Sequence, residues 1–95
     1  MLHEERKKLS QETLDLKRAI DSLKEELEAV DWYNQRADAT NDENLKKILI
    51  HNANEEKEHA AMLIEWLRQN DQVMAREFKG YLFSDQKDIA GLEES

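Results

Sequence analysis

The sequence predicts an all-α fold: an antiparallel hairpin of two long helices followed by a short third helix. Three observations predict it. Of 95 residues, 38% are charged and 39% hydrophobic, with no Pro and only two Gly. That mixture suits long helices and lacks the turn residues that a sheet sandwich needs at regular intervals. Apolar residues recur in alternating steps of four and three over two long stretches, the period of a helical stripe. Breaking residues gather in one short interval, "ATND" (39–42), between those stretches.

Taken in order, the elements are these. Residues 1–9 are highly charged and are expected to fray. Ser10 is an N-cap candidate, with Glu12 in the first turn to suit the helix dipole. Helix 1, about 10–39, carries the stripe Leu16, Ile20, Leu23, Leu27 and Val30. At the break, Thr40 with Glu43 reads as a capping box, and Asp42 serves equally well as the cap. Helix 2, about 42–70, carries Leu45, Leu49, Asn52, Glu56, His59, Leu63 and Trp66, and stops near "RQND". Helix 3, about 72–82, is spaced through Val73, Met74, Phe78 and Leu82, with Gly80 weakening its end. The segment after Ser84 reads as loose, and residues 1–95 form one domain. Two helices of roughly 28 residues span about 40 Å each, and a lone hairpin of that length leaves one side of each helix uncovered. Either the stripes are narrow and satisfy each other, or the hairpin oligomerises. Trp32 lies nearly opposite Leu23 on the helical wheel; it either builds a second interface or lies flat beneath long charged side chains.

Composition excludes several function classes. The absence of Cys removes disulfides, thiolate metal sites and cysteine nucleophiles together. A net charge of −8 argues against nucleic acid or an anionic membrane as the main partner. The longest apolar run, "AAMLI", is far short of a membrane span, and the first residues lack the apolar core of a signal peptide. The reading is a cytoplasmic protein, or one held inside a cytoplasmic assembly.

The chemistry lies on helix 2. Glu56 and His59 stand three residues apart, so both side chains leave one face, a turn apart, where Leu or Ile would be expected. Helix 1 offers Glu26 at the edge of its stripe and Tyr33 seven residues on, along almost the same line. Each of these residues taken alone reads as ordinary surface charge or interface packing. Together they read differently, because Glu56 and His59 fall on a stripe between Leu49, Leu63 and Trp66, and a buried charge without a partner is costly, so a metal or an opposing charge is required. His51 reads as a surface or rim residue, and His3 as inert. Carboxylate-bridged di-iron sites in four-helix bundles take a Glu from each of two helices and a Glu-x-x-His from each of the other two. One chain supplies half of that set, and two chains related by a twofold axis supply all of it. Such a ligand set suits iron or manganese, and zinc also binds.

The strings "EELEAVDWYNQRADA" (25–39) and "HNANEEKEHAAMLIEWLR" (51–68), followed by "YLF" (81–83), closely resemble the encapsulated ferritins. These are short ferritin-like ferroxidases housed in encapsulin nanocompartments. The resemblance covers roughly residues 10–84. It implies a hairpin that dimerises into a ferritin-like four-helix bundle, with dimers closing into a ring-shaped decamer. It implies Glu26, Glu56 and His59 as iron ligands at the dimer interface, Glu56 bridging, with Tyr33 a close neighbour. Glu25 and Glu28 match the family's metal-gathering site outside the core centre, and Trp32 an inter-dimer contact. Iron is the implied metal, with Ca²⁺ or Zn²⁺ able to substitute, and an encapsulin shell is the implied partner and location. Family members usually carry a C-terminal extension that docks on the inner shell wall; "AGLEES" is not such a peptide, so cargo status rests on the resemblance. The expected activity is oxidation of Fe²⁺ by dioxygen, feeding mineralisation inside the shell. The rivals are a metal-stapled helical scaffold without turnover and a metal-free acidic interaction module.

Overall fold

The computed structural model describes residues 1–94. It contains three α-helices, α1 (Gln11–Ala39), α2 (Glu43–Asn70) and α3 (Gln72–Tyr81), flanked by 3-10 turns at Arg6–Lys8 and Ala90–Glu94. No strand is present among the described residues, and no helix is long and apolar enough to cross a membrane. α1 and α2 pack against each other as the hairpin, and α3 packs on α2.

Side-chain caps set the helix starts. Ser10 Oγ accepts the Thr13 N–H at 3.1 Å. Between the two candidates at the break, Asp42 is the cap: its carboxylate accepts the Leu45 N–H at 3.0 Å. Thr40 instead closes α1 through its N–H to the Arg36 carbonyl, and its hydroxyl accepts the Asp42 N–H at 3.2 Å. A single residue, Asp71, ends α2 and caps α3, accepting the Met74 N–H at 3.0 Å.

Both chain ends are more ordered than their charge suggests. The N-terminal segment folds back on α1, with Leu2 and Leu9 half-buried and Leu2 sharing a cleft with Leu14 and Lys17. Lys17 bonds to Asp21 at 2.9 Å, which raises the Lys17 pKa, and it faces the Met1 amine, whose pKa it lowers. The expected fraying is therefore corrected: two leucines among the charges give the segment an apolar side. Beyond Ser84 the chain also turns, with the Leu92 N–H bonded to the Ile89 carbonyl and the Gly91 N–H to Asp88.

The hairpin seam is made of small residues. Among the described residues, those fully buried are Ala19, Ala37, Ala53, Ala60 and Leu67. On α1 the seam runs Ala19, Leu23, Glu26, Val30, Tyr33, Ala37, each buried or half-buried, in steps of four and three. Ile20 and Leu27, expected on the core stripe, are exposed on its flank. The reason is steric. Alanine lets two backbones approach, and bulky side chains are displaced to the sides of the contact.

One chain covers its apolar surface poorly. Its accessible surface is 7946 Å², against about 5,700 Å² for a compact monomer of this mass. Its radius of gyration is 17.3 Å, against about 12 Å for a compact chain of this length.

Candidate metal centre

The seam register brings Glu26 of α1 against Glu56 and His59 of α2. On α2 the half-buried and buried line is Leu49, Ala53, Glu56, Ala60, Leu63, Leu67, so Glu56 occupies a seam position flanked by two alanines. His59, three residues on, stands one turn along and to the side. Glu26 itself lies within the α1 seam, which corrects its expected place at the stripe's edge.

One ligand atom from each of the three side chains lies within 4.8 Å of the other two. His59 Nδ1 is 3.3 Å from Glu56 Oε2 and 3.5 Å from Glu26 Oε2. The carboxylates are 25% and 24% exposed, the imidazole 43%. Nδ1 can donate to Glu56 in the tautomer that carries its proton. Glu26 Oε2 is buried and has no hydrogen-bond partner; the 3.5 Å approach of His59 lacks hydrogen-bond geometry. No Lys or Arg pairs with either carboxylate among the described residues.

The electrostatic balance points to a cation. Two carboxylates face one imidazole, so even with His59 protonated the group retains net negative charge. A desolvated carboxylate oxygen without a donor is costly, and a divalent cation would remove that cost. The donor set, carboxylate oxygen with imidazole nitrogen, fits iron, manganese or zinc better than calcium, which prefers oxygen alone. The residues therefore fit a metal, with Nδ1 as the nitrogen facing it.

The remaining sequence-flagged residues lie outside this group. Tyr33 is half-buried on the α1 seam, and its hydroxyl makes no hydrogen bond among the described residues. The Arg36 guanidinium lies 5.8 Å from the centroids of both the Tyr33 and Trp32 rings, within cation–π range. The Trp32 half of this contact matches the expected alternative of a Trp lying beneath a long charged side chain; the Tyr33 half is not read in the sequence, although Arg36 stands three residues from Tyr33. Trp32 is exposed beneath that guanidinium. Glu25 and Glu28 are exposed and do not join the trio. His51 is exposed and lies 3.6 Å from Glu55.

With the geometry in place, the relatives can be compared. The EncFtn-like family model matches residues 1–85. An encapsulated ferritin-like protein of Rhodospirillum rubrum is 55% identical over 83 residues, covering 87% of this chain and 59% of that protein. A ferritin-like protein of Thermotoga maritima is 51% identical over 92 residues, covering 97% of this chain and 80% of that one. This chain thus spans less than two thirds of the Rhodospirillum protein's length. A ferritin-like–encapsulin shell fusion protein of Pyrococcus furiosus is 38% identical over 68 residues, covering 72% of this chain and 19% of the fusion. The crystal structure of protein NE0167 from Nitrosomonas europaea superposes with a TM-score of 0.88 at 55% identity, covering 92% of this chain and 96% of that one. Helical architecture, family model and identity agree: the chain belongs to the EncFtn-like family, the encapsulated ferritin-like proteins.

Proposed function

We propose that the protein is a ferroxidase whose di-iron site is completed by a second copy of the chain. The observation that carries this reading is the trio of Glu26, Glu56 and His59, with a buried Glu26 oxygen lacking any donor. Each chain brings two carboxylates and one imidazole, half of the ligand set of a carboxylate-bridged pair. His59 lies on the same line of α2 as Ile48, Met62 and Trp66, of which the first two are 56% and 59% exposed. A partner covering that line would bury apolar surface and close the site in one event.

Fe²⁺ is the substrate. Two ions each give up one electron; dioxygen takes the pair, with two protons, to hydrogen peroxide. Within this reading Glu56 bridges the ions, and Glu26 and His59 hold them at either side. Anionic oxygen ligands favour the ferric over the ferrous state, so four carboxylates in a partly dry site lower the barrier to electron loss. Glu25 and Glu28 gather cations on the outside, and Tyr33 flanks the centre. Ca²⁺ or Zn²⁺ occupies the same ligands without turnover. The Rhodospirillum name and the Pyrococcus fusion support an encapsulin shell as the partner. On that basis the protein works inside such a compartment, as a dimer or a ring of dimers, and the shell stores the ferric product.

The test is Fe²⁺ oxidation followed by absorbance and oxygen uptake. Glu56→Ala and His59→Ala should each abolish rapid oxidation, and wild-type rates in either would overturn the assignment. Native mass spectrometry should find two irons per dimer. A metal-stapled scaffold, the competing reading, is favoured by the position of His59 on the uncovered line. It predicts metal-dependent assembly with no oxygen consumed.

A further inference from the structure

The line of α2 that stands uncovered beside the trio carries an oxidisable atom. Met62 is three residues past His59, one turn along the helix, and is 59% exposed. Ile48 and Trp66 share that line and are also exposed. Among them the thioether is the flexible and polarisable member. The chain holds two other methionines. Met1 is 93% exposed and belongs to the N-terminal segment, while Met74 is half-buried on α3. Neither shares the line of His59, so the two serve as internal references for Met62.

The surroundings select the oxidant. Glu58 precedes Met62 by four residues and Glu65 follows it by three, on a chain of net charge −8. Anionic oxidants such as hypochlorite are repelled from such a surface. Neutral hydrogen peroxide is not, and it is the reduced product of the oxidation proposed above.

We propose that Met62 is a site of reversible oxidation by hydrogen peroxide, and that its state sets whether two copies can close over the trio. The inference rests on the proposed closure of the site by a second copy. A sulfur lone pair attacks one peroxide oxygen, forming the S–O bond as the O–O bond breaks. Sulfur is oxidised by two electrons and the peroxide is reduced. The departing hydroxide takes the proton from the new S–OH group and leaves as water, and the product is the sulfoxide. A dithiol reductant reverses the step, removing the oxygen as water and ending as a disulfide. The thioether suits a dry contact beside Ile48 and Trp66. The sulfoxide brings a strong acceptor that such a contact leaves unsatisfied. Peroxide therefore marks the chains whose Met62 is still open and keeps them from pairing.

The test adds hydrogen peroxide to metal-free protein and locates the added oxygen by peptide mass spectrometry. In dilute protein Met62 should be oxidised well before Met74. In concentrated protein its oxidation should slow relative to that of Met1. Oxidation of Met62 no faster than that of Met74, or a rate indifferent to protein concentration, would overturn the proposal. Sedimentation then reads pairing, and the oxidised protein should need an about tenfold higher concentration to pair. Met62→Leu should pair like the untreated protein and continue to do so after peroxide. Met62→Gln should pair weakly without any peroxide, with circular dichroism confirming its helices. A Met62 sulfoxide that pairs normally, or a Met62→Leu chain that loses pairing on treatment, would also overturn it. None of these readouts uses iron. A chain that is peroxide-sensitive in pairing but consumes no oxygen with Fe²⁺ keeps this inference and loses the ferroxidase reading. Turnover with insensitive pairing does the reverse, and a chain that stays single at every concentration removes both.

Discussion

Glu26 is the residue at which stability and chemistry conflict. Its buried Oε2 has no donor, so the metal-free chain carries a desolvation cost that a cation would relieve. Glu26→Gln keeps the shape, removes the charge and adds an N–H within the cluster, where a Glu56 oxygen lies within 4.8 Å of a Glu26 oxygen. The metal-free variant should gain roughly 1 kcal/mol, a rise in Tm of about 4–8 °C, while Mn²⁺ or Zn²⁺ affinity by titration calorimetry falls at least tenfold. A lower Tm in the metal-free variant would mean that the lone oxygen costs nothing. A second residue reports on acid stability. Hydrogen bonds from Arg68, then from Gln69, hold the Glu65 carboxyl at about 2, below its ordinary 4.5. A depressed folded-state pKa stabilises fully above the unfolded value and is lost as pH falls through the folded one. Glu65 therefore contributes above pH 4.5, and that contribution disappears on descent to about 2. Glu65→Gln should flatten the stability profile within that window and leave it unchanged in shape at neutral pH, as urea midpoints at several pH values will show. The pair is exposed, so solvent screening keeps the effect small.

At the scale of the element, the alanine seam sets the site's geometry. Ala53 and Ala60 bracket Glu56 and are 1% and 5% exposed, so α2 approaches α1 closely on either side of the ligands. Ala60→Leu should cost about 1–3 kcal/mol by overpacking and should abolish metal binding by parting Glu26 from His59. Unfolding midpoints and metal titration check the two effects separately. Asp71→Ala removes the α3 cap at the residue that also ends α2, and should cost about 1 kcal/mol in urea denaturation. These elements also mark what the sequence discloses. The caps at Ser10 and Asp42 are legible, because Ser and Asp accept N–H groups wherever a helix starts. Glu56 and His59 are legible as faults in a stripe. The true α1 seam is not, because a search for large apolar residues follows Leu16, Ile20 and Leu27. Packing instead follows Ala19 and Ala37, which hydropathy barely distinguishes.

At the scale of the whole molecule, the surface decides. An accessible area of 7946 Å², against about 5,700 Å² for a compact chain, leaves a single chain with much uncovered surface, which supports the proposed pairing with a second copy and which the sequence betrays only through the shortage of core. The melting temperature should therefore rise with protein concentration, as mass action requires of a chain stabilised by association; a Tm constant over a hundredfold dilution would refute it. A groove between α2 and α3 is illegible in the sequence because it arises from where α3 comes to rest on α2. The seam of alanines has one more consequence, in the life of the protein inside a cell. Helices that bury so little against each other open readily, and opened segments are what proteases cut. On the proposed dimeric reading, a copy without its partner should therefore be degraded faster than one within the assembly. Clearance would then fall on the half-sites of that reading, which would otherwise bind Fe²⁺ without completing its oxidation.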